Sequence, residues 1–338
     1  MDFNGVDYVI VGTGFFGATL AERIANDSGK KVVLIEKRKH IGGNCHSQIN
    51  DETGIEYHTY GTHIFHTSNQ RVWEYISRFT TFNGYYHQVL TTFKNKVYQM
   101  PVNLETINSF YNLNLKPFEF AQFLSRERSK EYYDAPKNFE EHVINQVGRS
   151  LYEALFKGYT LKQWGKDPTE IPSSIAKRIP FRTNYNENYY FDTWQGIPTD
   201  GYTTIFEKML RSDNIFIHLN TDYFEIRDSI PPETCVIYSG PIDKLLDYKY
   251  GVLEYRTLDF EFKTYNYEDF QGTAVMNYAE ESIPFTRIHE PRHFHPERRY
   301  PKEKTLAIYE FSKDSGKDNP YYPMGSARNN TIYNQYRA

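Results

Sequence analysis

The chain has 338 residues, 39% hydrophobic and 24% charged, with a formal net charge of −4, which suits a globular protein of roughly two domains at about 150 residues each. Mean hydropathy is −0.70 and no run approaches the ~18 apolar residues of a membrane span; the acidic balance argues against sequence-independent nucleic-acid binding, which requires phosphate-neutralising cations. Two cysteines, Cys45 and Cys235, cannot build a disulfide framework or a cysteine-based zinc site, and the N-terminus lacks the basic region and cleavage site of a signal peptide, so a reducing cytoplasm is expected.

Tyr8–Val11 is a short apolar run ending at Gly12, as in a buried parallel strand. Gly12-Thr13-Gly14-Phe15-Phe16-Gly17 follows, then a helical stretch through Leu20 and Ile24, and then a polar break over Asn26–Lys31. Val32–Ile35 reads as a second strand, ending in Glu36. Together these predict a β-α-β unit. Lys37–Thr67 is irregular and rich in Gly and His. Val97–Val102 predicts a strand entering a helical region. Within that region, Asn138 with Glu141 three residues on is a helix-start signature, and Phe139, Val143, Ile144, Val147, Leu151 and Leu155 recur at helical spacing. Thr203–Arg211 predicts a shorter amphipathic helix, and Ile215–Leu219 and Cys235–Tyr238 predict strands that could return to the first sheet. Beyond Gly251 the period becomes two: Leu258, Phe260 and Phe262 alternate with polar residues, and Thr273–Tyr278 and Thr305–Phe311 are strand-like. That pattern predicts an antiparallel sheet with one wetter face.

Gly12, Gly14 and Gly17 form G-x-G-x-x-G between a strand and a helix. The first glycine permits the tight turn, the second lets backbone approach a pyrophosphate, and the third lets helix and strand pack closely. The helix N-terminus offers free N–H groups to the phosphates, and Glu36 can accept both hydroxyls of an adenosine ribose. Lys37 and Arg38 after the acid could suit a 2′-phosphate. However, Ile41-Gly42-Gly43-Asn44 follows, a second glycine turn that resembles flavoproteins with an FAD-binding Rossmann-like domain, and FAD is the favoured cofactor. Tyr57–Thr67 holds three histidines, His58, His63 and His66. Zinc would need them to converge with a fourth ligand; the flanking residues suggest strand or loop, and hydrogen-bonded structural histidines are favoured over any metal.

The segments Glu36–Asn44, His63-Ile64-Phe65-His66-Thr67, Lys157–Gly165 (KGYTLKQWG), Lys177-Arg178-Ile179-Pro180 and Phe285-Thr286-Arg287-Ile288 occur in this order. They closely resemble bacterial UDP-galactopyranose mutases over essentially the whole chain. The resemblance implies an α/β fold: an FAD-binding Rossmann-like domain (1–80 plus 200–243), an inserted helical domain (103–172), and an antiparallel β-sheet domain (83–102 plus 173–199 plus 244–323). Residues 324–338 would begin a helix. Family members continue beyond the position of Ala338 with further flavin and substrate contacts, so this chain is expected to hold FAD less well.

The resemblance also implies the chemistry: reduced FAD attacks the sugar's anomeric carbon, UDP departs, and the ring recloses, interconverting UDP-galactopyranose and UDP-galactofuranose for cell-surface polysaccharide. It implies an external flavin reductant and a homodimer. Residue by residue, Phe16, Glu36, Lys37, Asn44, His63 and Ile64 fall at FAD contacts, joined by Gly12, Gly14, Gly17, Gly43 and Gly61 and, at a further flavin position, Asp222 and Tyr223. The UDP-sugar positions are His87, Leu155, Phe156, Tyr159, Thr160, Trp164, Arg178, Tyr189, Asn277, Arg287 and Tyr322, with Arg178, Arg287 and His63 catalytic. Several relatives carry Asn where this chain has His87, which leaves the sugar preference open, UDP-N-acetylgalactosamine included. A mobile loop is implied around Arg178, and Thr183–Asn188 is polar enough to serve. Read without the family, an aromatic face for uracil and guanidiniums for a diphosphate are the needs of a sugar nucleotide; taken singly, these residues read as core packing and surface ion pairs. The rival readings are a flavin oxidoreductase of the amine-oxidase type and a non-catalytic nucleotide-sugar-binding protein.

Overall fold

The apolar runs Tyr8–Val11, Val32–Ile35, Ile215–His218 and Cys235–Tyr238 become one parallel sheet in the computed structural model, which describes residues 3–177, 179–316 and 320–338. Tyr8–Val11 pairs with Cys235–Tyr238 on one side and Val32–Ile35 on the other, and Ile215–His218 extends the sheet beyond Val32–Ile35. Alternation sends Ile10, Val32 and Leu34 to one face, packed under Ala18, Ala21 and Ala25 of helix Phe15–Ser28 and Ile205, Phe206 and Met209 of helix Tyr202–Met209. Val9, Val33 and Ile35 go to the other face, against Phe3, Val6, Ile226 and Ile230. Burial on both faces is why the central strands Tyr8–Val11 and Val32–Ile35 read as continuous apolar runs, while the edge strands leave Phe216 and Val236 exposed. They belong to a unit comprising Met1–Asp51, Glu56–Gly84 and Gly196–Tyr250.

The second unit comprises Glu52–Ile55, Tyr85–Gln195 and Gly251–Ala338. Its seven-stranded sheet runs, edge to edge, Tyr322–Pro323, Tyr255–Tyr265, Thr305–Asp314, Arg287–His289, Val275–Tyr278, Val89–Phe93 and Lys96–Met100. The expected antiparallel sheet is in fact mixed, because Val275–Tyr278 pairs in parallel with Val89–Phe93. Every hairpin-like pairing in it is antiparallel; the parallel pair joins strands separated by the whole helical segment, where no tight turn forces reversal. The hairpin between Val89–Phe93 and Lys96–Met100 turns at Lys94 (φ 48°) and Asn95 (φ 61°), two left-handed residues that match the strand twist.

Helices Leu104–Tyr111, Pro117–Ser129 and Phe139–Val147 pack Leu104, Ile107, Phe120, Leu124, Val143 and Ile144 into this unit's core. The Asn138 side chain accepts from Glu141 N–H at 2.9 Å, as expected of a cap. The Glu141 carboxylate reaches back one residue further than in a capping box, accepting from Lys137 N–H at 2.6 Å. The helical periodicity through Leu155 does not make one helix. Gly148, at φ 82°, breaks it after Val147, and the chain resumes as Arg149–Leu151, a π-helical turn over Tyr152–Lys157, and helix Gly158–Trp164. Among the described residues no helix is long and apolar enough to cross a membrane.

Candidate functional site

In the first unit the two glycine turns meet backbone to backbone. Gly12 has φ 102°, Gly42 95° and Gly43 56°, all in the region where a side chain is strained. A Cβ on Gly17 would stand 2.0 Å from Gly12 O, and one on Gly43 would stand 3.0 Å from Gly14 Cα. Gly42 N–H donates to Thr13 O at 3.2 Å, tying the turns together. Gly14 differs: its backbone is extended, and a Cβ there would meet nothing nearer than 3.9 Å. Packing does not require a glycine there. The helix beginning at Phe15 has no side-chain cap and no acid in its first turn, so its free amides and dipole suit an anion.

Glu36 is buried at the end of its strand. Its Oε2 accepts from Thr13 N–H (3.1 Å) and Thr13 Oγ1–H (2.8 Å), and its Oε1 from Arg38 N–H (3.0 Å). These bonds fix the carboxylate and leave one acceptor site, on Oε1, for a ligand hydroxyl. Arg38 donates to Asn44 Oδ1 at 2.9 Å and lies 4.0 Å over the Tyr60 ring; Lys37 is exposed. Thr221 N–H donates to Glu36 O at 3.0 Å, which brings the Asp222–Tyr223 turn beside the acid. Asp222 caps Phe224 N–H at 3.0 Å and lies 3.4 Å from Lys244 Nζ. Phe16 is 57% exposed at the start of the helix, available to a ligand. His63 N–H donates to His58 Nδ1 at 2.9 Å, and His63 Nδ1–H donates to Gly61 O at 2.7 Å. A carbonyl only accepts, so Nδ1 carries a proton. Ile64 is half-buried beside it. A cradle with room at Gly14, an uncapped helix start and a fixed acid fit a dinucleotide such as FAD.

In the second unit, Thr91, Asn277, Arg287 and Glu310 are register partners across four adjacent strands and so share a face. Arg287 Nη2 donates to the Tyr159 hydroxyl, and its Nε lies 3.2 Å from Glu310 Oε1. Glu310 also meets His289 Nε2 at 3.0 Å and accepts from Thr286 Oγ1–H at 3.2 Å. Burial alone would raise the Glu310 carboxyl; the Arg287 charge and the His289 contact outweigh it and hold it down to about 2. Burial works against the Arg287 charge in turn, and Glu310 reverses that, raising it. Burial lowers His289 and raises the Tyr159 hydroxyl. Arg287 keeps 31% of its side-chain surface exposed, and its Nη1 makes no hydrogen bond among the described residues, so a donor remains for an anion. Across from it, Asn277 Oδ1 is buried with no hydrogen-bond partner among the described residues. Tyr322 lies within electrostatic reach of both Arg287 and Glu310.

His87 and Tyr189 are brought together: Tyr189 N–H donates to His87 O at 2.9 Å, and the His87 ring stacks on Tyr190 at 5.6 Å. Leu155 and Phe156 sit in the hydrophobic core on the π-helical turn, with Trp164 packed against that core and Thr160 buried. Arg178 lies outside the described residues. The polar stretch after it is tied into turns: Asn186 N–H and Asn188 N–H donate to Asn184 and Asn186 side chains at 3.0 Å each, and Arg182 donates to Asn188 O at 2.8 Å. Sequence reasoning assigns no role to Thr13 or Glu310, and it weighs Arg38 only as a 2′-phosphate contact, whereas here Arg38 holds Glu36 and Asn44. A group with metal-ligand chemistry, Asp269, Glu290 and His293, lies elsewhere. Glu290 there accepts from Phe270 and Gln271 N–H and from the Thr305 hydroxyl, which makes it the anchor of a turn.

The sequence profile of UDP-galactopyranose mutase matches residues 154–338, and that of an NAD(P)-binding Rossmann-like domain matches residues 10–79. A dTDP-fucopyranose mutase from Escherichia coli is 41% identical over 334 residues, covering 97% of this chain and 87% of the relative. A probable UDP-galactopyranose mutase from Klebsiella pneumoniae is 42% identical over 323 residues, 95% of this chain and 82% of the relative. The chain belongs to the UDP-galactopyranose mutase family. Membership makes it an isomerase, and the family profile covers Tyr159, Asn277, Arg287 and Glu310 alike. The fold agrees: a crystal structure of reduced UDP-galactopyranose mutase superposes with TM-score 0.68 at 16% identity, over 93% of this chain and 76% of that one. An oxidoreductase from Methanosarcina mazei does so at 0.58 and 14%, over 97% and 81%. Fold alone therefore does not separate the mutase from the oxidoreductase reading; the sequence relatives do.

Proposed function

We propose that the chain binds FAD and interconverts UDP-galactopyranose and UDP-galactofuranose, with the diphosphate held by Arg287 and Arg178. The observation that carries this is the Tyr159–Arg287–Glu310 arrangement, a guanidinium oriented by a carboxylate and a phenol with a donor still unused. FAD, when bound and reduced, supplies the nucleophile that displaces the nucleotide from the anomeric carbon. The protein's own work is orientation and charge. Arg287 would hold the departing diphosphate so that its return stays effectively intramolecular. Asn277 would offer its buried acceptor to a sugar or nucleotide donor, and His87 with Tyr189 would border the sugar. Gly12, Gly14, Gly17, Gly43 and the helix start would hold the cofactor's pyrophosphate, Glu36 its ribose, and Gly61, His63, Ile64, Asp222 and Tyr223 the remainder. The reading carries with it an external reductant, a cytoplasmic homodimer and a role in supplying galactofuranose.

A second reading, dTDP-fucopyranose as substrate, is favoured by the 41% identity to the Escherichia coli relative. The two substrates differ at the base, at the ribose 2′-hydroxyl and at C6 of the sugar. Anaerobic incubation of the dithionite-reduced protein with each pyranose, followed by chromatography of the nucleotide sugars, tests both. Furanose product from UDP-galactopyranose supports the proposal, product from dTDP-fucopyranose alone transfers it to the second reading, and product from neither rejects both. Equal turnover without a reductant would reject the role of reduced flavin.

A further inference from the structure

Lys162 lies one turn after Tyr159 on helix Gly158–Trp164 and donates to three main-chain carbonyls: Tyr278 O at 2.7 Å, Glu280 O at 2.8 Å and Phe285 O at 3.0 Å. An ammonium has three donors, and all three are used. The acceptors span the turn that joins strand Val275–Tyr278 to strand Arg287–His289, so one side chain grips both ends of that turn. Asn277 stands just before the turn and Arg287 just after it. Gly158 makes the grip possible, since a Cβ there would stand 2.5 Å from Ala279 O and 2.9 Å from Glu281 N. At the far end of the helix, Arg256 Nε donates to Gln163 O at 3.1 Å and Ser312 Oγ–H to the same oxygen at 2.6 Å.

We propose that Lys162 is a positioning residue for the nucleotide-sugar site, fixing the Tyr159 hydroxyl against the Arg287 guanidinium by holding their helix and turn together. The proposal rests on the function given above. Burying an ammonium is costly, and burial indeed lowers Lys162 to about 8 against the opposing pull of Glu280 and Glu281. An apolar side chain of the same length would fill the space without that cost. What the ammonium adds is three fixed points on the turn that delivers Arg287.

The test is a double-mutant cycle between K162M and Y159F, read as UDP affinity by calorimetry and as KM and kcat in the mutase assay, with flavin content recorded. K162M is expected to weaken UDP binding and raise KM at least tenfold while flavin content stays at the wild-type level, because every candidate cofactor residue belongs to the other unit. The double variant is expected to be no more than about threefold worse than the poorer single, since both act through one contact. If K162M does not fold, the same cycle is run on K162R, which keeps the charge but cannot converge a planar fork on three carbonyls; intermediate affinity and the same non-additivity are expected. UDP affinity within twofold of wild type in the folded variant, or fully multiplicative effects in either cycle, would overturn the proposal. Wild-type protein that binds no UDP would instead overturn the functional reading, and this proposal with it.

Discussion

Glu310 Oε1 stands 3.2 Å from Arg287 Nε, and the two residues are register partners on adjacent antiparallel strands. The carboxylate is 4% exposed, so the pair is desolvated at one end and open at the other. Removing the acid leaves a mostly enclosed guanidinium without its counter-charge, a change that typically costs about 3–5 kcal/mol when a buried pair is broken. Glu310→Gln is expected to lower stability by about 2–4 kcal/mol in urea unfolding, the lower figures reflecting the exposed part of Arg287. It should also weaken UDP binding roughly tenfold. Because the Glu310 carboxyl is held at about 2, its contribution is complete above the ordinary glutamate value and is lost only as pH falls toward 2. Arg287→Ala and Arg178→Ala are each expected to reduce turnover by two orders of magnitude or more, an order-of-magnitude figure for charge stabilisation of a leaving group, while FAD stays bound. Near-normal activity in both would reject the phosphate-clamp role.

Gly14 and Gly17 separate ligand demand from packing demand. A Cβ on Gly17 would strike Gly12 O at 2.0 Å, whereas a Cβ on Gly14 would find open space out to 3.9 Å. Gly17→Ala is therefore expected to lower apo-protein stability by about 2–3 kcal/mol through forced overpacking. Gly14→Ala should leave it within about 0.5–1 kcal/mol, since its backbone is extended and helix propensity is barely engaged at a cap. Flavin titration should nevertheless show Gly14→Ala losing affinity at least tenfold, because the new methyl occupies the room a pyrophosphate needs. Equal flavin affinity in Gly14→Ala and wild type would remove Gly14 from the cofactor site.

The first unit was legible because its demands fall on the backbone. Gly12, Gly17 and Gly43 mark positive φ or close approach, and Val32–Ile35 marks a strand buried on both faces; such needs leave an imprint at fixed local spacing. The break at Gly148 was less so, since the apolar period continues undisturbed through Leu151 and Leu155 and one glycine inside a helical pattern is usually tolerated. The π-helical turn over Tyr152–Lys157 leaves the same periodic residues buried and so leaves no mark in the pattern. Lys162 was visible only as part of a motif, because its partners are main-chain carbonyls more than a hundred residues away, and a carbonyl has no residue type. Glu310 is one acid in a strand-like run; its meaning comes from register with Arg287, which no local period encodes. The parallel pairing of Val275–Tyr278 with Val89–Phe93 is illegible for the same reason.

The stacked imidazoles of His40 and His46 predict an acid limit to cofactor binding. Their ring centroids are 3.8 Å apart beside the Gly42–Gly43 turn, with His40 Nδ1–H donating to Ile41 O at 3.0 Å and His46 Nδ1 lying 3.1 Å from Thr203 Oγ1. Burial first, then the neighbouring His40, brings His46 down to about 4, with Arg38 and Lys39 adding to the effect and the Ile41 carbonyl opposing it. His40 is lowered too, chiefly by burial, with Glu36 opposing. A histidine with a depressed folded value favours the unfolded state when protonated. Stability is therefore complete above the ordinary histidine value and declines as pH falls from about 6.5 to about 4. FAD fluorescence is expected to rise through that window as cofactor is released. His46→Gln, which cannot take the proton, should flatten the rise; an unchanged acid profile would place the titrating group elsewhere.

His87 predicts where sugar preference is set. The ring is 6% exposed, stacks on Tyr190 at an interplanar angle of 23°, lies 3.2 Å from Tyr85 Oη through Nδ1, and accepts Tyr189 N–H on its main-chain oxygen. His87→Asn keeps that main-chain bond and a side-chain hydrogen-bonding group, so Tyr189 should stay in place. It removes the ring, and with it the flat surface and volume presented toward Tyr189 and Tyr190. A methylene-sized change in the shape of an apolar pocket alters discrimination between close analogues by about 10- to 200-fold. The ratio of kcat/KM for UDP-galactopyranose to that for dTDP-fucopyranose is therefore expected to shift at least tenfold in His87→Asn, while affinity for UDP alone stays within about twofold, since that nucleotide carries no hexose. A parallel loss on both substrates would make His87 a packing residue, and a loss of UDP affinity would move it from the sugar to the nucleotide.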